Sequence, residues 1–296
     1  MTFQPFRRPN RSSSKRRPFL GWRMLGIAGI VSFLSGPAQT YGISAFVEPM
    51  LAELGWSRSL FSSAYSLGTL ISAGVLVVAG REIDRRGNRA ILVAAAVGYG
   101  AALMLLSLGH HALAILFGFA ALRSCGSGVL TLAGRTLIPN WFHSNLGRAL
   151  SLLGLAGMLS QAIVPVFNAY VIEALGWRNA WRVNALIVWL VLLPIVALLV
   201  RNHPADVGQL PDGVQPNDVH ASPSEFEEPG FTSNQALRTP AFWRLIGASA
   251  VPSLVVTGLA FNQIAILTDR GLPASLAASS FAIEAAVALP ATLVAG

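Results

Sequence analysis

Arg123 stands near the middle of a long apolar run, 112–138. A guanidinium at the centre of a lipid bilayer costs about 2.5–3.5 kcal/mol on insertion scales, so it demands a polar cavity or a partner. Ser127 and Thr131 follow at intervals of four, which places all three residues on one face of a helix. Such a face can bind an anion, couple protons, or bond a carbonyl of a neighbouring helix. Other polar side chains interrupt apolar runs in the same way: Gln39 and Tyr41, Tyr65 with Ser66 and Thr69, Gln161 and Asn168, and Asn262 with Gln263. Each alone reads as glue between membrane helices. Taken together they are expected to line one cavity near mid-membrane. Glu284 is the only acid well inside an apolar run, and a buried carboxylate can carry a proton.

The sequence offers little to a covalent mechanism. It holds no phosphate-binding GxxxxGK, no HExxH and no GxSxG. An enzyme is therefore not expected, and neither is a cofactor. Cys125 is the sole cysteine, so no internal disulfide and no cysteine-based metal site can form. His110 and His111 are adjacent, and neighbouring side chains on a helix diverge, which argues against a metal pair.

The elements that position these groups follow from hydropathy. Of 296 residues 53% are hydrophobic and 11% charged, whereas a soluble domain averages about 25% charged residues. A chain so poor in charge cannot cover a water-facing surface, which excludes a disordered protein and an ordinary soluble enzyme. A bilayer core about 30 Å thick takes about 20 apolar residues per helix. Eight runs qualify: 20–47, 60–79, 90–108, 112–138, 149–172, 180–200, 242–267 and 276–296. Gly36-Pro37 interrupts the first, and such a break survives in lipid only against protein or a water-lined cavity. Six spans precede a proline-rich stretch, 201–240, that reads as a linker.

Orientation follows from the basic residues. With the N-terminus inside, sixteen of the 21 Lys and Arg fall on the inner side. Four (Arg58, Arg178, Arg182 and Arg270) fall on the outer side. This bias predicts a cytoplasmic N-terminus. The tail, with Arg7, Arg8, Arg11, Lys15, Arg16 and Arg17, then faces anionic lipid rather than nucleic acid. The start of span one, Trp22-Arg23-Met24-Leu25-Gly26, is repeated at Trp243-Arg244-Leu245-Ile246-Gly247 in span seven. A six-span unit repeated in parallel is a transporter pattern.

Between spans two and three, Gly80-Arg81-Glu82-Ile83-Asp84-Arg85-Arg86-Gly87-Asn88-Arg89 fits G-x-x-x-D-R-x-G-x-R. It resembles the signature loop of the major facilitator superfamily. Asn140-Trp141-Phe142 with Gly147-Arg148-Ala149, Gly176-Trp177-Arg178, and the run from His203 to Gly213 resemble other loops of its bacterial members. Gly36 to Gly42 resembles span one of the monocarboxylate/oxalate-formate-like branch. That branch uses an arginine in span eight, and 272–296 contains none. The antiporter run of span five, G-x-x-x-G-P-x-x-G-G, is also missing, which favours uptake or symport over drug–proton antiport.

The resemblance implies an all-α polytopic fold in the inner membrane of a bacterium. A basic tail (1–19), a six-helix N-terminal bundle (20–200) and a cytoplasmic linker (201–240) would precede the first two helices of the C-terminal bundle (241–296). It implies twelve helices in all, so a chain ending after the eighth is expected to be inactive alone. It implies secondary transport of a small, anionic organic solute by alternating access, coupled to protons. The Arg123 stretch resembles the family's Arg-Gly motif of span four, and Gln39, Tyr41, Tyr65, Gln161, Asn262 and Glu284 would complete the site. Gly80, Asp84, Arg85, Gly87 and Arg89 would form a conformational latch, with Asp84 paired to a neighbouring arginine. Two alternatives stand beside this reading: a membrane receptor or scaffold on the same bundle, and a drug or metabolite efflux protein.

Overall fold

The computed structural model describes residues 18–213, 235 and 237–295. The basic tail up to residue 17 and the linker from 214 to 234 lie outside the described residues.

The described residues are helical wherever they are regular. Span one is two helices, α1 (Gly21–Leu34) and α2 (Thr40–Leu54), joined by a 3-10 turn at Gly36–Ala38. Pro37 has no N–H to continue the ladder, so the helix restarts at Thr40. The expected break is there, and α2 runs on past residue 47. Spans two and three form one element, α3 (Arg58–Leu108), divided at Gly87, whose φ of 80° and ψ of 161° are not helical. Gly87 is required twice over. The positive φ suits only glycine, and a Cβ there would collide with the Asn202 side chain.

Span four consists of α4 (Ala112–Ala121), a π-helical stretch Leu122–Leu130, and α5 (Thr131–Trp141). Span five is α6 (Leu146–Leu175). Span six is α7 (Trp177–Ile187), a π segment Val188–Leu192, and α8 (Leu193–Leu199). After the linker come α9 (Pro240–Thr268) and α10 (Ala274–Ala295). Five helical stretches are long and apolar enough to cross a membrane by themselves: Arg58–Leu108, Ala112–Trp141, Leu146–Leu175, Trp177–Leu199 and Pro240–Thr268.

The chain turns at two faces. One face gathers the Gly87 turn, the α5–α6 corner and the residues after α8. There Arg89 donates from Nε and Nη2 to Ala197 O, and its backbone N–H bonds Asn202 Oδ1 at 2.9 Å. Asn140 donates to Asn202 O, and Asn88 donates to Ala133 O at 2.7 Å. We call this the arginine-rich face. On the opposite face Arg178 donates to Glu53 at 2.9 Å and to the carbonyls of Ser107 and Gly109, and Trp177 donates to Glu53 at 2.6 Å. Between the faces the six spans interlock through large apolar groups, among them Phe46 stacked on Trp181 at 3.6 Å.

Candidate functional site

The site is built around the break in span one. Because the helix stops at Ser35 and restarts at Thr40, the Ala38 carbonyl and the Gln39 side chain face span four. Arg123 Nη1 donates to Ala38 O at 3.2 Å. Ser127 Oγ donates to Gln39 Oε1 at 3.3 Å, and Gln39 Nε2 reaches Thr131 Oγ1 at 3.5 Å. The expected common face of Arg123, Ser127 and Thr131 is therefore present. The π stretch contributes to it: i→i+5 bonding widens the turn, so residues four apart stay above one another. Gly126 lets the two spans approach, since a Cβ there would collide with Ala38 and the Tyr99 ring.

Arg123 is half-buried, and its guanidinium lies 5.1 Å from the centroid of the Tyr65 ring. Its Nε is buried with no hydrogen-bond partner. Among the described residues no carboxylate pairs with it. One carbonyl and one π-face leave most of its donors open, where a paired structural arginine would show a carboxylate fork.

The other candidates divide. Tyr65 Oη shares a hydrogen bond with Thr40 at 2.9 Å. Tyr41 Oη donates to Ser160 Oγ at 3.0 Å, and Ser160 donates to Phe33 O. Glu284 on α10 accepts from Gln161 on α6 at 3.1 Å and from Gln263 on α9 at 2.7 Å. Glu284 is exposed rather than buried, and its carboxylate joins span five to spans seven and eight. Asn262 is not brought into the set; it donates to Gly258 O of its own helix. Asn168 is inside the six-span bundle, donating to Gly42 O and accepting from Asn184. Thr69 bonds Tyr65 O one turn back.

The contact between the six-span bundle and α9–α10 is one-sided. Towards the opposite face Phe261 lies 4.6 Å from Tyr65 and 6.3 Å from Phe61, and Phe281 lies 6.3 Å from Tyr41. Beyond them Arg58 bridges Glu48 at 2.7 Å and Asp269 at 3.6 Å. Phe261, Ile264 and Ala265 are buried, whereas every residue of α9 from Trp243 to Leu259 is exposed. Sequence reasoning missed Phe261, Phe281, Ser160 and the Arg58–Asp269 pair. The signal that could have pointed to them is aromatic residues at the middle of spans seven and eight.

The signature loop differs from expectation in one respect. Asp84 is exposed and, among the described residues, forms no ion pair. Arg85 and Arg86 pair instead with Glu82, at 3.3 and 2.6 Å. Residues three and four apart meet on a helix, while neighbours at one and two do not. Gly80 has open space around its Cβ direction, so no close helix approach uses it. After α8, Asp212 accepts from the backbone N–H of His143, Ser144 and Asn145 and from the Asn145 side chain, just before α6 begins. Burial alone would raise the Asp212 carboxyl; these N–H donors outweigh it and hold it below its ordinary value.

The structure is a multi-span helical bundle with a broken first span and a half-buried arginine against the break. The chain belongs to the Major Facilitator Superfamily, whose family model matches residues 26–296. It is 27% identical over 169 residues to a riboflavin transporter of Trypanosoma cruzi, covering 53% of this chain and 35% of that protein. It is 22% identical over 184 residues to a multidrug resistance protein B homolog of Mycobacterium tuberculosis, covering 62% of this chain and 34% of the relative. An MFS-type transporter of a Phoma species is 24% identical over 172 residues, covering 57% and 58%. The chain thus spans about a third of the first two relatives' length.

Proposed function

We propose that the whole protein is a secondary transporter of a small anionic organic solute, bound at Arg123 between the two bundles. The observation that carries this reading is the half-buried guanidinium with an unpartnered Nε and, among the described residues, no carboxylate paired with it. An uncompensated charge in mid-membrane is costly, and an anionic guest cancels that cost while satisfying the free donors. Gln39, Tyr41, Tyr65 and Gln161 shape the space around it. Asn262, turned to its own helix, contributes least.

Alternating access then has a physical basis in the one-sided packing of α9. The closed half lies towards the opposite face, and the separated half lies towards the arginine-rich face. We assign the arginine-rich face to the cytoplasm of a bacterial inner membrane, from the bias of basic residues. On this assignment the arrangement corresponds to an inward-open state. Glu284, held by two glutamine amides across the bundle interface, is the candidate proton carrier. Protonation would cost it acceptor capacity and loosen the contact among spans five, seven and eight. The loop from Gly80 to Arg89 would engage the second bundle only when the inner side closes, which suits its unpaired Asp84.

The test is flux. The full-length protein in proteoliposomes should accumulate one of a panel of small carboxylates in preference to neutral amides and organic cations. It should do so faster with an inward proton gradient. Binding without movement would make it a receptor instead. Preference for cations, as in drug efflux, would remove Arg123 from the mechanism.

A further inference from the structure

The face that carries Arg123, Ser127 and Thr131 continues for one more turn to Arg135. Arg135 lies roughly 18 Å along the helix from Arg123, towards the arginine-rich face. Its position near the end of span four invites assignment to the loop, as a lipid anchor. Arg135 is exposed, lies inside α5, and lines one narrow cleft with Ser32, Thr131 and Leu153. Ser32 belongs to span one, and Leu153 lies on α6 two turns before Gln161, the residue that meets Glu284. The cleft joins spans one, four and five on the face of span four that also carries Arg123. Among the described residues it has no hydrogen bond and no ion pair.

Resting on the reading of Arg123 as an anion site, we propose that Arg135 is a second anion-binding group at the inner mouth of the same path. The anion meets Arg135 first from the cytoplasmic side, or last when leaving towards it, and passes Thr131 and Ser127 on the way. Two arginines on one face separate capture from tight binding. The outer charge concentrates anions by its field, and the inner one holds the guest where the bundles meet. The hydroxyls between them bond a carboxylate without adding charge.

The test needs no knowledge of the substrate. In the full-length protein with Cys125→Ser, a reporter thiol is introduced by Ser32→Cys, and inside-out vesicles expose it to the inner side. Its rate of modification is measured with an anionic and with a cationic methanethiosulfonate reagent. The anionic reagent should react faster by about tenfold relative to a thiol introduced by Ser144→Cys, as one nearby charge predicts. Arg135→Gln should bring the ratio to that of the control, and Arg135→Lys should keep it. A ratio unmoved by Arg135→Gln would overturn the proposal. So would a ratio that follows the anionic lipid content rather than residue 135, since Arg135 would then be a headgroup anchor. Arg123→Ala leaves this ratio intact while abolishing flux, so failure at Arg135 is distinguishable from failure of the transport reading.

Discussion

The two mouths of the bundle are built on opposite plans. At the opposite face the six-span bundle meets α9 and α10 through interlocked aromatics, Phe61, Tyr65 and Phe261, capped by Arg58 between Glu48 and Asp269. At the arginine-rich face α9 is exposed from Trp243 to Leu259, Arg135 and Asp84 form no ion pair among the described residues, and the hydrogen bonds present tie the six-span bundle to itself. The ion pair that crosses between the bundles, Arg58 with Asp269, lies where they touch.

The aromatic layer is where this contrast can be broken most severely. Phe261→Ala removes a buried ring between Tyr65 and Phe61, and such truncations cost roughly 3 kcal/mol or more. The closed mouth should open, and a thiol introduced by Thr40→Cys should become about a hundredfold more reactive to reagents added from the opposite face. Unchanged reactivity would show that the ring does not seal the path. The hydrogen-bonded corner on the arginine-rich face should respond less. Asp212→Ala strips three backbone donors at the start of α6 of their acceptor, at about 1 kcal/mol by analogy with lost helix caps. Because the folded carboxyl is depressed, this stabilisation is complete above the ordinary aspartate range and is lost as pH falls through the depressed value. Thermal melts of Asp212→Ala in detergent should lie below the parent at neutral pH and converge with it in strong acid; parallel curves at all pH would contradict the assignment. The smallest effect belongs to the exposed bridge. Arg58→Asp should shift opposite-face accessibility by a few-fold at most, since exposed pairs are worth about 0–1 kcal/mol. Adding Asp269→Arg should restore it, and a double variant no better than the single one would remove the bridge from the gate.

Much of this architecture was legible in the residues. Hydropathy located the spans, Gly36-Pro37 located the break, and the spacing of four located the face that binds Gln39. Asp84 shows where local reading failed: arginines beside it in sequence turned to Glu82, because helical neighbours lie three and four apart. The π turn at Leu122–Leu130 has no signal in periodicity, since it changes the period itself. Phe261 and Phe281 read as ordinary apolar residues, and their role appears only when two distant spans cross. Asp212 looked like one acid among prolines, because a cap donated by a corner 67 residues away leaves no local pattern.

The central claim is that Arg123 is held open for an anion. It is tested most directly by equilibrium exchange in proteoliposomes of the full-length protein, using the carboxylate that the flux panel identifies. Arg123→Gln should abolish saturable exchange while Arg123→Lys retains a part of it, the charge surviving without the planar fork. Exchange at the parent rate in Arg123→Gln would contradict the account.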